Sequence, residues 1–361
     1  MDNYLGYRKR TKEEIEFLWK NAVFTFDTNS LLNLYRYSPT SRKDIFEIIN
    51  KISTRIFLTN QVTFEFNKNR YENINNLIKN HNDFVATLEK INNEIISKSS
   101  SPLLSKTLSV KFETLLQQIK FEIQSKSNNF LSLFNDDPIY NELKEIFKDK
   151  ILEEFDETQM SKILKDGETR YSQKIPPGYS DGNKQENKFG DLIIWKEIIN
   201  FAKNANKPII FISDDRKDDW IWKLKDGKII GPRPELIQEF YKETNQLFHI
   251  YKSENFIKYG SEFLNEQLDA GTIEEVTKIS KEIRLSEFQD FLATLSDDEI
   301  NERLKILSPR EADFLRLNLG LGGKHRLNAK EISETFDIDL STALSIKSNA
   351  LRKLKSAELG K

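Results

Sequence analysis

Five acids stand where an apolar chain would not ordinarily leave charge. Asp27 closes the run "VFTF", Asp214 and Asp215 close "IIFIS", Asp191 opens "DLIIWKEII", and Glu65 follows shortly after "RIFLTN". If these runs are strands of one parallel sheet, the carboxylates meet at its carboxyl edge, which is where open α/β sheets hold their ligands. Carboxylates gathered without arginine partners disfavour one another's ionisation. A divalent cation removes that repulsion, polarises a phosphodiester and activates water for attack on it. A lone aspartate after a strand is ordinarily a helix cap, and Asp191 taken alone fits that role; acids at four strand-edge places in one pattern argue for a site.

The totals narrow the chemistry. The chain has 361 residues, enough for two or three domains. Its net charge of -2 predicts no global attraction to nucleic acid, so any such site is a local basic patch. There is no cysteine, and His81, His249 and His325 are scattered singly. Disulfides and thiolate metal sites are thereby excluded, a typical zinc cluster is not expected, and a bound metal would be an oxygen-seeking ion such as Mg²⁺ or Mn²⁺. The opening residues lack an apolar signal core and no apolar run approaches about 20 residues, so a cytoplasmic protein without membrane segments is expected.

The elements that would position the acids alternate. A helix over about 11–20 leads into "AVFTF", followed by helical "SLLNLYRYS" and "SPTSRKDIFEIINKI", the β-type run "RIFLTN", and a further helix. Such alternation predicts a parallel sheet flanked by helices. From about 72 to 170 the pattern becomes long and polar, a helical insertion. "KIPPGYSDGNKQENKFG" reads as a loop, "DLIIWKEIINFAKNANK" as an amphipathic helix, and "PIIFISDD" and "LFHIY" as strands. Beyond about 256 only helix is expected, with a linker to about 300 and a sharply punctuated block over 301–361.

"FTFDTNSLLNLY", "QVTFEF", "KFGDLIIWKEII" and "PIIFISDDRKDDW" together resemble the motif set of PIN-like domains, a branch of the metal-dependent nucleases that includes many toxin and RNA-processing ribonucleases. The match covers roughly 22–73 and 176–222. The resemblance implies that Asp27, Glu65 and Asp191 are principal metal ligands, with the fourth acid at Asp214 or Asp215, Mg²⁺ or Mn²⁺ as cofactor, and products with a 5′-phosphate and a 3′-hydroxyl. It also implies that Asn29 and Ser213 orient water or phosphate, and makes a toxin or antiphage setting a natural one. Arg36, Lys68, Arg70, Lys188, Arg216 and Lys217 lie within a few residues of the acids and are candidates for phosphate contact. Asp181 is a further acid that could face the site. Tyr35, Tyr179 and Trp220 are candidates for base stacking, although packing is the commoner use. A phosphatase of the haloacid-dehalogenase type would need a second aspartate two residues after the first, where Asn29 stands.

The last block has its own grammar. "SPREADFLRLNLGL" begins with a serine cap and a proline and ends in glycines; "NAKEISETF" carries Asn328 as cap with Glu331 three residues on; "DID" turns; "LSTALSIKSNALRKLKS" is a longer helix. That order predicts an all-α helix-turn-helix unit. Over about 50 residues it resembles region four of bacterial primary sigma factors. The resemblance implies binding to DNA, to RNA polymerase, or to both. Where that family places arginine, glutamate and glutamine at the start of the recognition helix, this chain reads "LSTALSIKSN", poor in groups that read base edges. Phosphate contacts through Lys347, Arg352, Lys353 and Lys355 remain, as do RNA binding, an apolar partner face, and homo-oligomer formation.

The expectation is therefore an α/β PIN-like domain over 1–255 and an all-α module over 301–361, acting as a metal-dependent endonuclease on RNA in preference to DNA. The alternative is a non-catalytic nucleic-acid-binding protein associated with transcription.

Overall fold

A computed structural model of the chain describes residues 6–97, 104–215, 217, 219–224, 228–281, 292, 295–321 and 326–358. Arg216, one of the expected phosphate contacts, lies outside them, as does the side chain of Lys355.

Helix α1 (Lys12–Asn21) starts on a capping box formed by Thr11 and Glu14 and delivers the chain into β1 (Val23–Phe26). β1 pairs in parallel with β2 (Ile209–Ile212), Val23 opposite Ile209, and β2 pairs in parallel with the last strand of the sheet, Phe248–Tyr251. The central strand is buried along its whole length, as expected of a parallel strand covered on both faces. All three strands run the same way, so the residues after Phe26 and after Ile212 leave the sheet at one edge.

The expected strand "RIFLTN" is reduced to two single bridges, Ile56 to Phe24 and Leu58 to Ile151. The four residues between a 3₁₀ turn at Ser53–Arg55 and the helix beginning at Asn60 split their pairing between two partners, β1 on one side and Ile151 on the other. An antiparallel hairpin of β3 (Ile221–Lys223) and β4 (Ile229–Pro232) follows β2, where no strand was expected.

The helices covering the sheet carry the site. A single turn and a half, α2 (Thr28–Leu32), leaves β1; α3 (Pro39–Lys51) follows with Ser38 as its cap. Helix α4 (Asn60–Ser97) runs unbroken for 38 residues, about 57 Å. The helical region expected from about 72 therefore begins inside the helix that holds Glu65. It continues with α5 (Lys106–Ser132), α6 (Pro138–Ile146) and α7 (Glu157–Ser172). Helix α8 (Gly190–Ala205) buries Leu192, Ile194, Trp195 and Ile198 against the sheet. Trp195 is fully buried, with its ring edge-on to Trp220 at 6.0 Å and Phe248 at 5.0 Å.

The first part of the segment expected to be a linker over 256–300 packs on this first core. Helix Ser253–Leu264 inserts Phe256 and Ile257, and Val276 in the helical stretch 272–281 is fully buried there. A second core lies among the helices Asp297–Leu304, Pro309–Leu319, Ala329–Thr335 and Leu340–Glu358, built from Ile300, Leu304, Phe314, Leu315, Ile332, Ala350 and Leu351. Three of these helices open on capping boxes, Ser296 with Glu299, Ser308 with Glu311 and Asn328 with Glu331, and Pro309–Leu319 ends at Gly320 with φ 72°.

Candidate active site

Asp27 follows the last residue of β1 and is 8% exposed. One carboxylate oxygen accepts the Thr28 amide at 2.8 Å, as a helix cap does, and the other accepts the Ser213 hydroxyl at 3.2 Å. Burial raises its carboxyl well above the ordinary range, and Asp215, Asp191 and Glu65 add to the rise in that order. Three further carboxylates are thus close enough to repel it.

Glu65 reaches the edge from α4. Its Oε2 accepts the Thr28 hydroxyl at 2.8 Å, and its Oε1 accepts the Gln61 and Asn187 side-chain amides at 2.8 and 2.7 Å. Gly190, the first residue of α8, permits this approach: a Cβ there would lie 2.7 Å from Glu65 Oε1 and 2.5 Å from the Asn187 amide nitrogen. Asp191 comes next, in the first turn of α8, raised to about 7 by burial foremost, against the lowering effect of Lys217.

The "SDD" doublet divides. Asp214 turns away to cap the helix Ser253–Leu264, accepting the Ser253 amide at 3.0 Å and hydroxyl at 2.7 Å, and the Asn33 side-chain amide at 3.0 Å. Asp215 turns inward: its amide donates to Ser213 Oγ at 3.1 Å, and its carboxylate accepts the Lys217 amide at 2.8 Å and pairs with the Lys217 ammonium at 3.1 Å. The same ammonium lies 3.0 Å from Asp191 and 2.8 Å from Asp181. Asp181 arrives on the loop before α8, bent at Gly178 with φ 90° and tied down by Asp219, which accepts the Gly178 and Ser180 amides at 2.9 and 3.0 Å.

Asp27, Glu65, Asp191 and Asp215 are therefore brought to one edge, with Ser213, Asp181 and Lys217 beside them. These are the residues that could hold a hard divalent cation. Among the described residues no set of three or more carboxylate or imidazole groups is arranged to hold a metal as it stands. The Lys217 ammonium bridges three of the acids instead.

Several expected contacts are otherwise engaged. Arg70 is 8% exposed and pairs with Asp137 at 2.5 Å, its guanidinium against the Tyr71 and Tyr140 rings; it holds α4 to α6 and is not available to phosphate. Tyr35 is buried with its hydroxyl on Asp137 at 2.6 Å, and Trp220 is a core residue. Lys68 pairs with Glu186 at 2.9 Å and Lys188 with Glu168 at 2.9 Å. Asn29 and Arg36 are exposed on the chain leaving β1. Sequence reasoning missed Gln61 and Asn187, whose role appears only when α4 meets the loop before α8.

A family model described as PIN like domain matches residues 23–236, more than half of the chain. The chain belongs to the PIN-like domain family. The match spans the sheet edge, the helical region between Glu65 and Asp191, and the β3–β4 hairpin. No curated protein and no solved structure matches the chain. Among the described residues no helix is long and apolar enough to cross a membrane.

In the C-terminal block, Lys353, a candidate phosphate contact, is held by both oxygens of Glu311 at 2.8 and 2.9 Å. Lys347 is half-buried and its pKa is lowered by burial and then by Arg326, while Arg352 is exposed beside Asn349.

Proposed function

We propose that the chain is a metal-dependent endonuclease that hydrolyses phosphodiester bonds, in RNA in preference to DNA. The observation that carries the reading is the gathering of Asp27, Glu65, Asp191 and Asp215, two of them raised by burial, at the carboxyl edge of a parallel sheet in a PIN-like domain. The donor set fits the cation: hard oxygen ligands in excess charge, without sulfur or imidazole. Bound Mg²⁺ or Mn²⁺ would neutralise the acids and supply Lewis-acid activation of the phosphodiester.

The remaining work falls to the protein. Ser213 bridges Asp27 and the Asp215 backbone and fixes the angle between the two strand ends. Gln61 and Asn187 fix the Glu65 rotamer. Asn29 and Arg36 lie on the chain that leaves Asp27, where they would meet the polyanion backbone beside the scissile phosphate.

The C-terminal helices would choose location or partner. Their order fits a helix-turn-helix module resembling sigma region four, and an exposed Leu344 with few base-reading groups favours docking on RNA polymerase over sequence readout of DNA. A second reading is a binding protein that does not cut, favoured by the Lys217 ammonium seated among the acids.

Labelled single-stranded RNA, structured RNA and DNA, offered to the full-length protein with Mn²⁺, Mg²⁺ or EDTA, separate these. Metal-dependent cutting of RNA is expected. Binding without cutting under every condition would favour the second reading. Capture of RNA polymerase or DNA by the full chain, lost when it is ended at residue 300, is the result expected of the C-terminal module.

A further inference from the structure

Among the described residues of the edge, Lys217 is a feature that a simple ring of metal ligands does not account for. Its ammonium lies 2.8 Å from Asp181, 3.0 Å from Asp191 and 3.1 Å from Asp215, and its side chain is 29% exposed. Three ion pairs on one lysine at a sheet edge exceed what fixing a loop requires. The loop before α8 is already held by Asp219, and Asp181 has a second cation in Lys184 at 2.7 Å. Asp191 and Asp215, by contrast, have no second cation partner among the described residues.

We infer that Lys217 is the built-in counter-cation of the acidic edge, which a divalent ion must displace from Asp191 and Asp215 in order to bind. The inference rests on the nuclease reading and adds a threshold to it. Carboxylates facing a tethered ammonium bind metal only after giving up ion pairs already made, so occupancy begins at a higher free metal concentration than the acids alone would set. The displaced ammonium remains tethered beside the edge, as a positive charge for the nucleic-acid backbone.

The backbone of Lys217 and its side chain contribute separately, which makes the test clean. The amide donates to one Asp215 oxygen at 2.8 Å while the ammonium pairs with the other at 3.1 Å. Lys217→Met keeps the amide and most of the stem and removes only the charge. Titration calorimetry of the metal-free, full-length protein with Mn²⁺ is the direct readout. Lys217→Met is expected to bind Mn²⁺ at least about tenfold more tightly than the wild type, and Lys217→Arg to stay within about threefold of it. The metal-free melting temperature of Lys217→Met should fall and recover on adding Mn²⁺ by more than the wild-type shift, a second readout that needs no cleavage. Affinity of Lys217→Met equal to or weaker than wild type, while Asp27→Asn still abolishes binding, would overturn the inference and leave the nuclease reading standing. No Mn²⁺ binding by any of these proteins would overturn both.

Discussion

Asp27 at the sheet edge and Glu311 in the C-terminal block are equally buried, each 8% exposed, and they live in opposite surroundings. Glu311 caps its helix through Ser308 and takes the Lys353 ammonium on both oxygens, and that pairing, foremost among its causes, holds its carboxyl below the usual range. Asp27 has two neutral donors, and burial foremost, then Asp215, Asp191 and Glu65, drives its carboxyl upward. Glu311 serves the fold. Asp27 works against it, and an acid kept at the expense of stability points to chemistry.

The sharpest way to break this comparison is inside the doublet. Asp215→Asn is expected to lower cleavage about a thousandfold or more with an unchanged or higher melting temperature in the absence of metal. Asp214→Asn should cost about 1–2 kcal/mol of stability through its cap on the helix Ser253–Leu264, with cleavage by the folded fraction within a few fold of wild type. Single-turnover cleavage alongside thermal melts reads both. Swapped effects would mean that the wrong aspartate has been assigned to the edge.

Gly190→Ala comes next in size. The atoms its Cβ would meet are the ends of the Asn187 and Glu65 side chains, so the fold can yield while Glu65 cannot keep its place. Cleavage should drop roughly tenfold to a hundredfold with little change in the melting temperature. Loss of stability without loss of rate would remove Glu65 from the site.

Glu197 extends the comparison to a buried acid away from the edge. It is 2% exposed and raised to about 7 by burial foremost, with the Gln61 amide at 3.2 Å opposing the shift. The folded chain thus holds this proton up to about pH 7 while the unfolded chain releases it near 4.5. Stability from this group is present below about 4.5 and lost as pH rises through that window. Glu197→Gln should therefore stabilise the protein by about 2 kcal/mol at pH 8 and by almost nothing at pH 4.5. Denaturant melts at the two pH values check it, and an equal effect at both would contradict the assignment. The smallest effect belongs to the block: Lys353 is 54% exposed, so Lys353→Ala should cost less than about 1 kcal/mol and leave cleavage untouched.

Asp27 and Asp191 were legible because each sits at a local boundary between an apolar run and its neighbour, and Glu65 because it follows shortly after "RIFLTN". The choice between Asp214 and Asp215 was not legible. Successive residues of an extended chain point opposite ways, and which one turns inward depends on Ser253, 39 positions away along the chain. Arg70 looked like a phosphate contact because it follows Glu65 by five residues, whereas its partner Asp137 lies 67 residues on. Gln61 and Asn187 left no local sign, being ordinary amides until α4 and the loop before α8 converge. The β3–β4 hairpin did leave one, an Asp-Gly pair ahead of "KII". The short bridge at Ile56 shows the reverse case, a strand-like composition that makes only isolated bridges.

The central claim is that Asp27 is kept for a metal-assisted cleavage and not for the cap it makes. Asp27→Asn retains the size and the capping oxygen, so circular dichroism and the melting temperature should match or exceed the wild type, while Mn²⁺-dependent cleavage of labelled RNA should vanish. Cleavage that persists in Asp27→Asn with full dependence on metal would contradict the account.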